Sequence, residues 1–260
     1  MESEIVFSRK EQFGGICGEI ILNRPDKGNA LTMLMLRQLN SIISEIETDR
    51  ELRAVVIRAR GRFFCTGGDI EAWSSLSPDE MERDWIPYGI HIFERLAALP
   101  QPVIAAVSGH ALGGGLELAL AADLRVAVKS AKFGSPEVTL GIISGWMGIR
   151  RLAEVVGVAR ARHLMLLGTP ITAELALNWG LITGLADDAD DLERQLNGWL
   201  ERLCANAPGA MALTKGILAT MHADLRQHHA TAAAQALSTE DCKEGVQAFR
   251  EKRKPVYRNR

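Results

Sequence analysis

The sequence has few cysteines, and they form none of the spacings that mark a metal or redox site. The 260 residues contain four, widely separated: Cys17, Cys65, Cys204 and Cys242. No C-x-x-C pair occurs, so the sequence indicates neither a zinc site nor a thioredoxin-type motif. A chain of this length with few scattered cysteines suits a reducing compartment, and we therefore expect a cytoplasmic protein without a metal.

An excess of one charge is also absent. The chain has 30 Lys and Arg against 32 Asp and Glu, for a formal net charge of −2. A general nucleic-acid-binding protein would show a strongly basic balance, so we expect no nucleic-acid partner. Apolar residues make up 47% of the chain, which excludes disorder as its main state and allows a sizeable core.

Signals for secretion or membrane insertion are missing. Residues Met1–Lys10 carry no basic segment followed by an apolar run. Leu96–Leu116 has 21 positions without a formal charge, enough to cross a bilayer. Its prolines, Pro100 and Pro102, and its glycines Gly113–Gly115 fit a strand, a loop and a helix better. We therefore expect no membrane span.

The sequence does not match two common nucleotide-binding motifs. Gly109-x-x-x-Gly113-x-Gly115 has the glycine spacing of short-chain dehydrogenases, but neither Tyr88 nor Tyr257 is followed four residues later by Lys. No Gly-Lys-Ser/Thr sequence exists for a P-loop. These absences argue against a dinucleotide or nucleotide cofactor.

Strand and helix patterns alternate along the first half of the chain. Ala54–Ile57 and Val103–Val107 are short apolar runs typical of buried strands, and residues 133–136 predict a turn. A helical apolar face after Ala30 is formed by Met35, Leu39, Ile42 and Ile46. Helical patterns dominate after about residue 150, so the sequence predicts an α/β fold with a helical C-terminal part.

Two glycine loops are candidates for binding a developing negative charge. Gly114 lies at the predicted N-terminus of a helix, where free backbone N–H groups and the helix dipole stabilise an anion. Gly68, in an earlier loop, can offer a second N–H. Two such donors on one carbonyl oxygen would form an oxyanion hole. The alternative is that the loops are two unrelated tight turns.

Two glutamates stand in apolar surroundings. Glu117 falls within the helix-prone run Leu116–Ala122, and Glu137 within Gly134–Gly141. A carboxylate in such a place is exposed, paired or functional, because burying it unpaired is costly. Glu137 as a surface charge and Glu117 as a stabiliser of a helix N-terminus remain alternatives. If both face one pocket, they can position a water molecule and transfer protons.

Taken in order, several segments resemble the crotonase family, the enoyl-CoA hydratase/isomerase superfamily. The matching segments are Arg24–Leu31, Phe64–Ile70, Pro102–Ala119, Phe133–Gly141 and Glu251–Pro255. The resemblance implies the crotonase (ClpP-like) fold, a spiral of strand–strand–helix units. Residues 1–200 would form this core with the active site. Residues 201–260 would form a helical region used in trimer contacts and in closing the CoA pocket.

The resemblance also implies a reaction and its residues. The substrate would be an acyl-CoA thioester, with no separate cofactor, and the assembly a homotrimer or a dimer of trimers. Gly68 and Gly114 match the oxyanion donors, and Glu117 and Glu137 match the two catalytic glutamates of the hydratases, which add water to a 2-enoyl-CoA. The residues that would bind the CoA thioester are Lys27, Ala30, Gly68, Asp69, Ile70 and Gly114.

One segment departs from the hydratase pattern. The family commonly has Pro-Gly-x-Gly-Gly after Gly141, whereas this chain has Ser144, Gly145, Trp146 and Met147. The segment borders the acyl pocket in the family, so isomerisation or another crotonase-type reaction stays open. A third reading is a non-catalytic scaffold with this fold, against which the presence of both glutamates argues.

Other residues allow a functional and a structural reading. His110 either lines the pocket or is non-catalytic, and Cys65 is either a nucleophile or, as we expect, a packing residue. Lys254 is one of several basic candidates for a CoA phosphate contact. Three tryptophans either shape the acyl pocket or belong to the core: Trp73, Trp85 and Trp146.

Overall fold

The structure is a computed structural model that describes residues 3–219, 230, 233–234, 236–253 and 255. None of the helices formed by these residues combines the length and the apolar character that a membrane span requires. The described strands are β1 (Ile5–Gln12), β2 (Gly15–Leu22), β3 (Leu52–Ala59), β4 (Phe63–Cys65), β5 (Val103–Val107), β6 (His110–Leu112), β7 (Leu124–Val128), β8 (Lys132–Gly134), β9 (Ile171–Thr172) and β10 (Gly184–Ala186).

Helices follow most strand pairs. They are α1 (Met33–Thr48), α2 (Ile70–Trp73), α3 (Pro78–Glu80), α4 (Ile86–Ala98), α5 (Gly114–Ala121), α6 (Gly148–Val156), α7 (Val158–Leu167), α8 (Ala173–Asn178), α9 (Ala189–Ala205), α10 (Pro208–Ala219) and α11 (Glu240–Arg250). A π-helical turn, Met81–Trp85, leads into α4, and short 3₁₀ helices span Pro25–Lys27 and Glu137–Leu140. The division expected at residue 200 falls within α9.

Helix α1 shows how the sequence determines these elements. Thr32 caps its first turn by accepting a hydrogen bond from the N–H of Met35, which satisfies one of the free donors at a helix start. Its apolar face is buried, as the spacing predicts. The buried face includes Leu36 and Ile43 in addition to three of the four predicted residues, while Ile42 is only half-buried.

The strands form two sheets. The larger has the order β1-β2-β3-β5-β7-β10 and the smaller the order β4-β6-β8-β9. Each of the pairs β3/β4, β5/β6 and β7/β8 sends its first strand to the larger sheet and its second to the smaller. All five residues of β5 are buried, as expected for a strand covered on both faces.

The smaller sheet positions three loops. Strands β4, β6 and β8 are parallel neighbours, with Cys65 opposite Ala111 and Leu112 opposite Gly134. The chain therefore leaves all three strands at the same edge of the sheet. The segments that follow them contain Gly68, Gly114 and Glu137 respectively.

The turn predicted over residues 133–136 is wrong at its start. Lys132–Gly134 is a strand that pairs with β6 on one side and with β9 on the other. Phe133 is completely buried there. Its burial and two neighbouring strands outweigh the local turn preference of Gly134 and Pro136.

Candidate functional site

The two glycine loops meet at the edge of the smaller sheet. Gly67 and Gly113 have positive φ angles of 114° and 54°, a conformation that turns the chain sharply after each strand. A methyl group placed on Gly114 would lie 3.2 Å from the backbone nitrogen of Gly68. Among the described residues, neither the Gly68 N–H nor the Gly114 N–H has a hydrogen-bond partner. Two unpaired donors thus lie side by side, so the reading as unrelated turns is wrong.

A cavity of about 90 Å³ opens beside these donors. Both glycines and both candidate glutamates line it. The apolar part of its lining includes Ile70, Trp73, Met81, Trp85, Ile86 and Trp146. The cavity is therefore mostly apolar, with polar groups gathered at one place, which is the usual composition of a small-molecule site.

Glu117 is held by the backbone. It lies on α5, three residues after Gly114, and its side chain is almost fully buried at 3% exposure. Its Oε1 accepts hydrogen bonds from the backbone N–H groups of Trp146 and Gly148, each at 2.7 Å. Burial, assisted by the nearby charge of Glu137, raises the pKa of Glu117 to about 7 despite these donors.

Glu137 is held by side chains. It begins the 3₁₀ helix after β8 and is half-buried. Its Oε2 accepts a hydrogen bond from Ser135 Oγ at 2.7 Å, and its Oε1 accepts one from Ser144 Oγ at 3.1 Å. Burial raises the pKa of this carboxyl as well. The simple alternative, an exposed surface charge, is therefore wrong for Glu137.

This arrangement is suited to a specific type of chemistry. Two free N–H groups can bind a carbonyl oxygen that gains negative charge during a reaction. Two carboxylates with pKa values moved toward neutrality can accept and deliver protons near pH 7. Both functions occur around one cavity.

The other predicted binding residues occupy several different places. Ile70 lines the cavity, and Ala30 lies in the neighbouring loop. Asp69 caps α2 and forms an ion pair with Arg24 at 2.5 Å, so its charge is already neutralised. Lys27 is exposed at the end of its 3₁₀ helix. Binding of CoA by these residues stays a prediction, and Lys254 lies outside the described residues.

The three tryptophans line the cavity and are also buried. Trp146 lies against the glycine loops, because a methyl group on Gly114 would approach its ring to 2.6 Å. Its indole also occupies the space beside Gly89, where a methyl group would lie 2.2 Å from Trp146 Nε1. A ring contact of 5.4 Å between centroids joins it to Trp85.

His110 and Cys65 have structural surroundings. His110 makes an edge contact with Phe63, and burial, with the charges of Lys132 and Arg62, lowers its pKa. It does not line the described cavity. Cys65 is completely buried, which raises its pKa to about 12. A thiol with such a pKa is a poor nucleophile at neutral pH, so Cys65 acts as a packing residue.

Sequence reasoning missed the groups that orient the glutamates. The two serines and the backbone N–H groups of Trp146 and Gly148 were not assigned this role. For Gly148 the sequence carries only the residue type, whose reason the structure supplies: a methyl group there would lie 2.5 Å from Glu117 Cγ. Ser144 was visible as a departure from the family pattern, but its contact with Glu137 depends on how the loop after Gly141 folds back.

The sequence is similar to those of known proteins along nearly its whole length. The family described as enoyl-CoA hydratase/isomerase matches residues 12–260. A Bacillus subtilis (strain 168) protein named probable enoyl-CoA hydratase is 38% identical over 235 residues, which cover 88% of this chain and 91% of that protein. A Clostridium acetobutylicum protein named short-chain-enoyl-CoA hydratase is 37% identical over 259 residues, covering 98% and 97% respectively.

A solved structure agrees with these matches. The crystal structure of enoyl-CoA hydratase from Bacillus anthracis superimposes with a TM-score of 0.79 at 34% identity, covering 99% of this chain and 100% of that one. The predicted crotonase fold is thereby confirmed. By the match along nearly its whole length and by its relatives, the chain belongs to the enoyl-CoA hydratase/isomerase family.

Proposed function

We propose that this protein is an enzyme that reversibly adds water to a 2-enoyl-CoA and forms the 3-hydroxyacyl-CoA. The observation that carries the proposal is the meeting of two unpaired N–H donors and two buried or half-buried carboxylates around one cavity. A scaffold protein has no need for this combination. The names of the relatives in Bacillus subtilis and Clostridium acetobutylicum support the same reaction.

In this proposal the thioester oxygen binds the N–H groups of Gly68 and Gly114. These donors polarise the conjugated double bond and stabilise the enolate-like charge that develops as water attacks. Because the charge is largest near the transition state, the donors lower the barrier more than they strengthen substrate binding. Loss of one such donor typically costs roughly 3–4 kcal/mol.

The two glutamates then carry out the two proton transfers of the reaction. Glu117 takes a proton from water, whose hydroxyl oxygen bonds to C3 of the substrate. Glu137, in its protonated form, gives a proton to C2. The products are the hydroxyacyl thioester, a protonated Glu117 and an ionised Glu137, and one proton transfer between the carboxyls or through solvent restores the enzyme. A pKa of about 7 lets Glu117 accept and release a proton near neutral pH.

Isomerisation of a 3-enoyl-CoA is the alternative reaction. It moves one proton between two carbons of the substrate and requires a single acid–base group. The presence of two carboxylates, each with its own pair of hydrogen-bond donors, favours hydration.

The cavity also favours a short acyl group. Its volume of about 90 Å³ is smaller than the roughly 150 Å³ cavity that holds benzene in other proteins. Trp146 closes it beside the oxyanion donors. We therefore expect a four-carbon enoyl group to fit and an eight-carbon group to fit poorly.

The direct test is the loss of enoyl thioester absorbance when the protein is added to 2-enoyl-CoAs of four to ten carbons. We expect turnover that is fastest with the crotonyl (four-carbon) thioester. The product should contain ¹⁸O when the reaction is run in H₂¹⁸O. Conversion of a 3-enoyl-CoA without ¹⁸O would support the isomerase instead, and no turnover at any chain length would contradict hydration.

The assembly and location are further parts of the proposal. A homotrimer, or a dimer of trimers, is supported by the exposed apolar side chains of α7, among them Leu166 and Leu167 at 71% and 59% exposure. Light scattering gives the number of subunits directly. A cytoplasmic location is supported by four cysteines that are all free thiols.

A further inference from the structure

Ser144 lies between the two carboxylates of the site. Its side chain is buried, with the residue 5% exposed, and its Oγ is 3.1 Å from Glu137 Oε1. It also lies near Glu117, since its hydroxyl lowers the pKa of that carboxyl. Glu117 and Ser144 both lie against Gly148: a methyl group on this glycine would lie 2.6 Å from Glu117 Oε1 and 2.8 Å from Ser144 Oγ.

A hydroxyl in this place fits only one protonation state of the pair well. It has one proton to donate and lone pairs that accept. When one carboxyl is ionised and the other is protonated, Ser144 can donate to the first and accept from the second. With both ionised, one carboxylate faces the lone pairs of the hydroxyl. With both protonated, the hydroxyl loses its charged acceptor.

We propose that Ser144 is a positioning residue that bridges Glu117 and Glu137 and stabilises the state in which the pair holds a single proton. The proposal rests on the proposed function, because hydration needs one glutamate as base and the other as acid at the same time. Two like charges that interact titrate as a pair, with two apparent pKa values. The guanidinium of Arg151 also interacts with Glu117, and it is retained in every variant compared below. The bridge widens the interval between these values, and the enzyme is active inside that interval.

Ser135 provides a matched control. It is also buried and also donates to Glu137, at 2.7 Å through Oε2. No bond from Ser135 to Glu117 is found among the described residues. Removal of its hydroxyl therefore raises the proton affinity of Glu137 alone, without breaking a bridge.

The test compares the pH dependence of kcat in Ser144→Ala and Ser135→Ala. In Ser144→Ala we expect each limb of the bell-shaped profile of kcat against pH to move inward by about one pH unit. This is the shift in pKa that loss of a hydrogen bond to a charged group implies. The maximal kcat should fall about tenfold while KM stays within about twofold. In Ser135→Ala the alkaline limb should move upward, so the profile should widen. A Ser144→Ala profile as wide as that of the wild type, or one that changes like Ser135→Ala, would overturn the proposal.

A second measurement does not depend on activity. The free energy of unfolding has a constant slope against pH wherever the native state binds one more proton than the unfolded state. The pH range with this constant slope should be shorter in Ser144→Ala. It should also be shorter in the nearly isosteric Ser144→Cys, whose thiol is a weak donor. An unchanged range in both would contradict the bridge. If the wild type fails to hydrate any enoyl-CoA but the range shortens, the bridge stands and the proposed function fails.

Discussion

The two sides of the site hold their carboxylates in different ways. Glu117 is fully buried, and two backbone N–H groups fix one of its oxygens. Glu137 is half-buried and is held by two serine hydroxyls, one on each oxygen. Side-chain substitution can remove the donors of Glu137, whereas the two backbone donors of Glu117 depend on the path of the chain from Trp146 to Gly148.

This difference agrees with the proposed roles. A base that must meet a water molecule in one geometry benefits from rigid backbone donors, which leave it no alternative orientation. An acid that gives up a proton and regains it benefits from hydroxyls, which can rotate between donating and accepting. The comparison therefore predicts that the function of Glu117 depends on the geometry of the loop from Trp146 to Gly148. The function of Glu137 should depend on the individual serine hydroxyls.

The largest expected effect comes from Glu117→Gln. The amide oxygen can still accept from the two backbone N–H groups, so the fold should remain, but the amide cannot take a proton from water. We expect kcat for crotonyl-CoA hydration to fall by about 1000-fold, within the range of general-base catalysis. The exposed Glu201 on α9 supplies the control, and Glu201→Gln should keep wild-type activity. A loss below tenfold in Glu117→Gln would remove this residue as the base.

Glu137→Gln is expected to lower turnover at least ~100-fold while CoA-thioester binding is largely retained. The glutamine can still accept from Ser135 or Ser144, but it has no proton to give to C2. Binding of a saturated acyl-CoA, measured by calorimetry, separates the two effects. Unchanged turnover in this variant would exclude Glu137 from the mechanism, and weakened binding would show that it holds the substrate.

Much of the site was predictable because its donors belong to local motifs. Gly114 begins a helix and Gly68 follows a strand, so their exposed N–H groups follow from secondary structure. The placement of Glu117 three residues after Gly114 predicts its side of the helix. The orienting groups were not predictable, because Ser144 and the N–H of Trp146 reach the carboxylates only through the fold of the loop between the 3₁₀ helix and α6.

The fold shows the same division between local and tertiary information. The amphipathic face of α1 and the buried strand β5 were visible as apolar periodicities. The short strand β8 was not, since its three residues include a glycine and precede a proline, and only pairing with β6 and β9 makes it a strand. Sequence patterns identify elements that bury a face of their own and miss those that depend on neighbours.

Trp146→Ala tests the role of the Trp146 side chain separately from that of its backbone N–H, which holds Glu117. The variant keeps the N–H that Glu117 accepts from and removes the indole that closes the cavity beside Gly114. We expect the ratio of kcat/KM for eight-carbon over four-carbon substrate to rise about tenfold. This is the gain from burying about two of the four extra CH₂ groups in the vacated space, at roughly 0.8 kcal/mol each. Trp199→Ala, outside the cavity lining, should leave the ratio unchanged. An unaltered ratio in Trp146→Ala would show that the indole does not limit chain length.

We also predict an effect on stability, which can be measured without turnover. Glu117 has a pKa of about 7 in the folded protein against 4.5 ordinarily, so between these values the folded state retains a proton that the unfolded state releases. Stability therefore falls as pH rises through this window, by at most about 1.4 kcal/mol per pH unit, and levels off above it. The difference in unfolding free energy between wild type and Glu117→Gln, measured by urea titration from pH 5 to 8, should show this slope. The corresponding difference for Glu137→Gln should be smaller, because Glu137 is half-buried. If the two differences had equal slopes against pH, the greater burial of Glu117 would not account for a difference in proton affinity between the two glutamates.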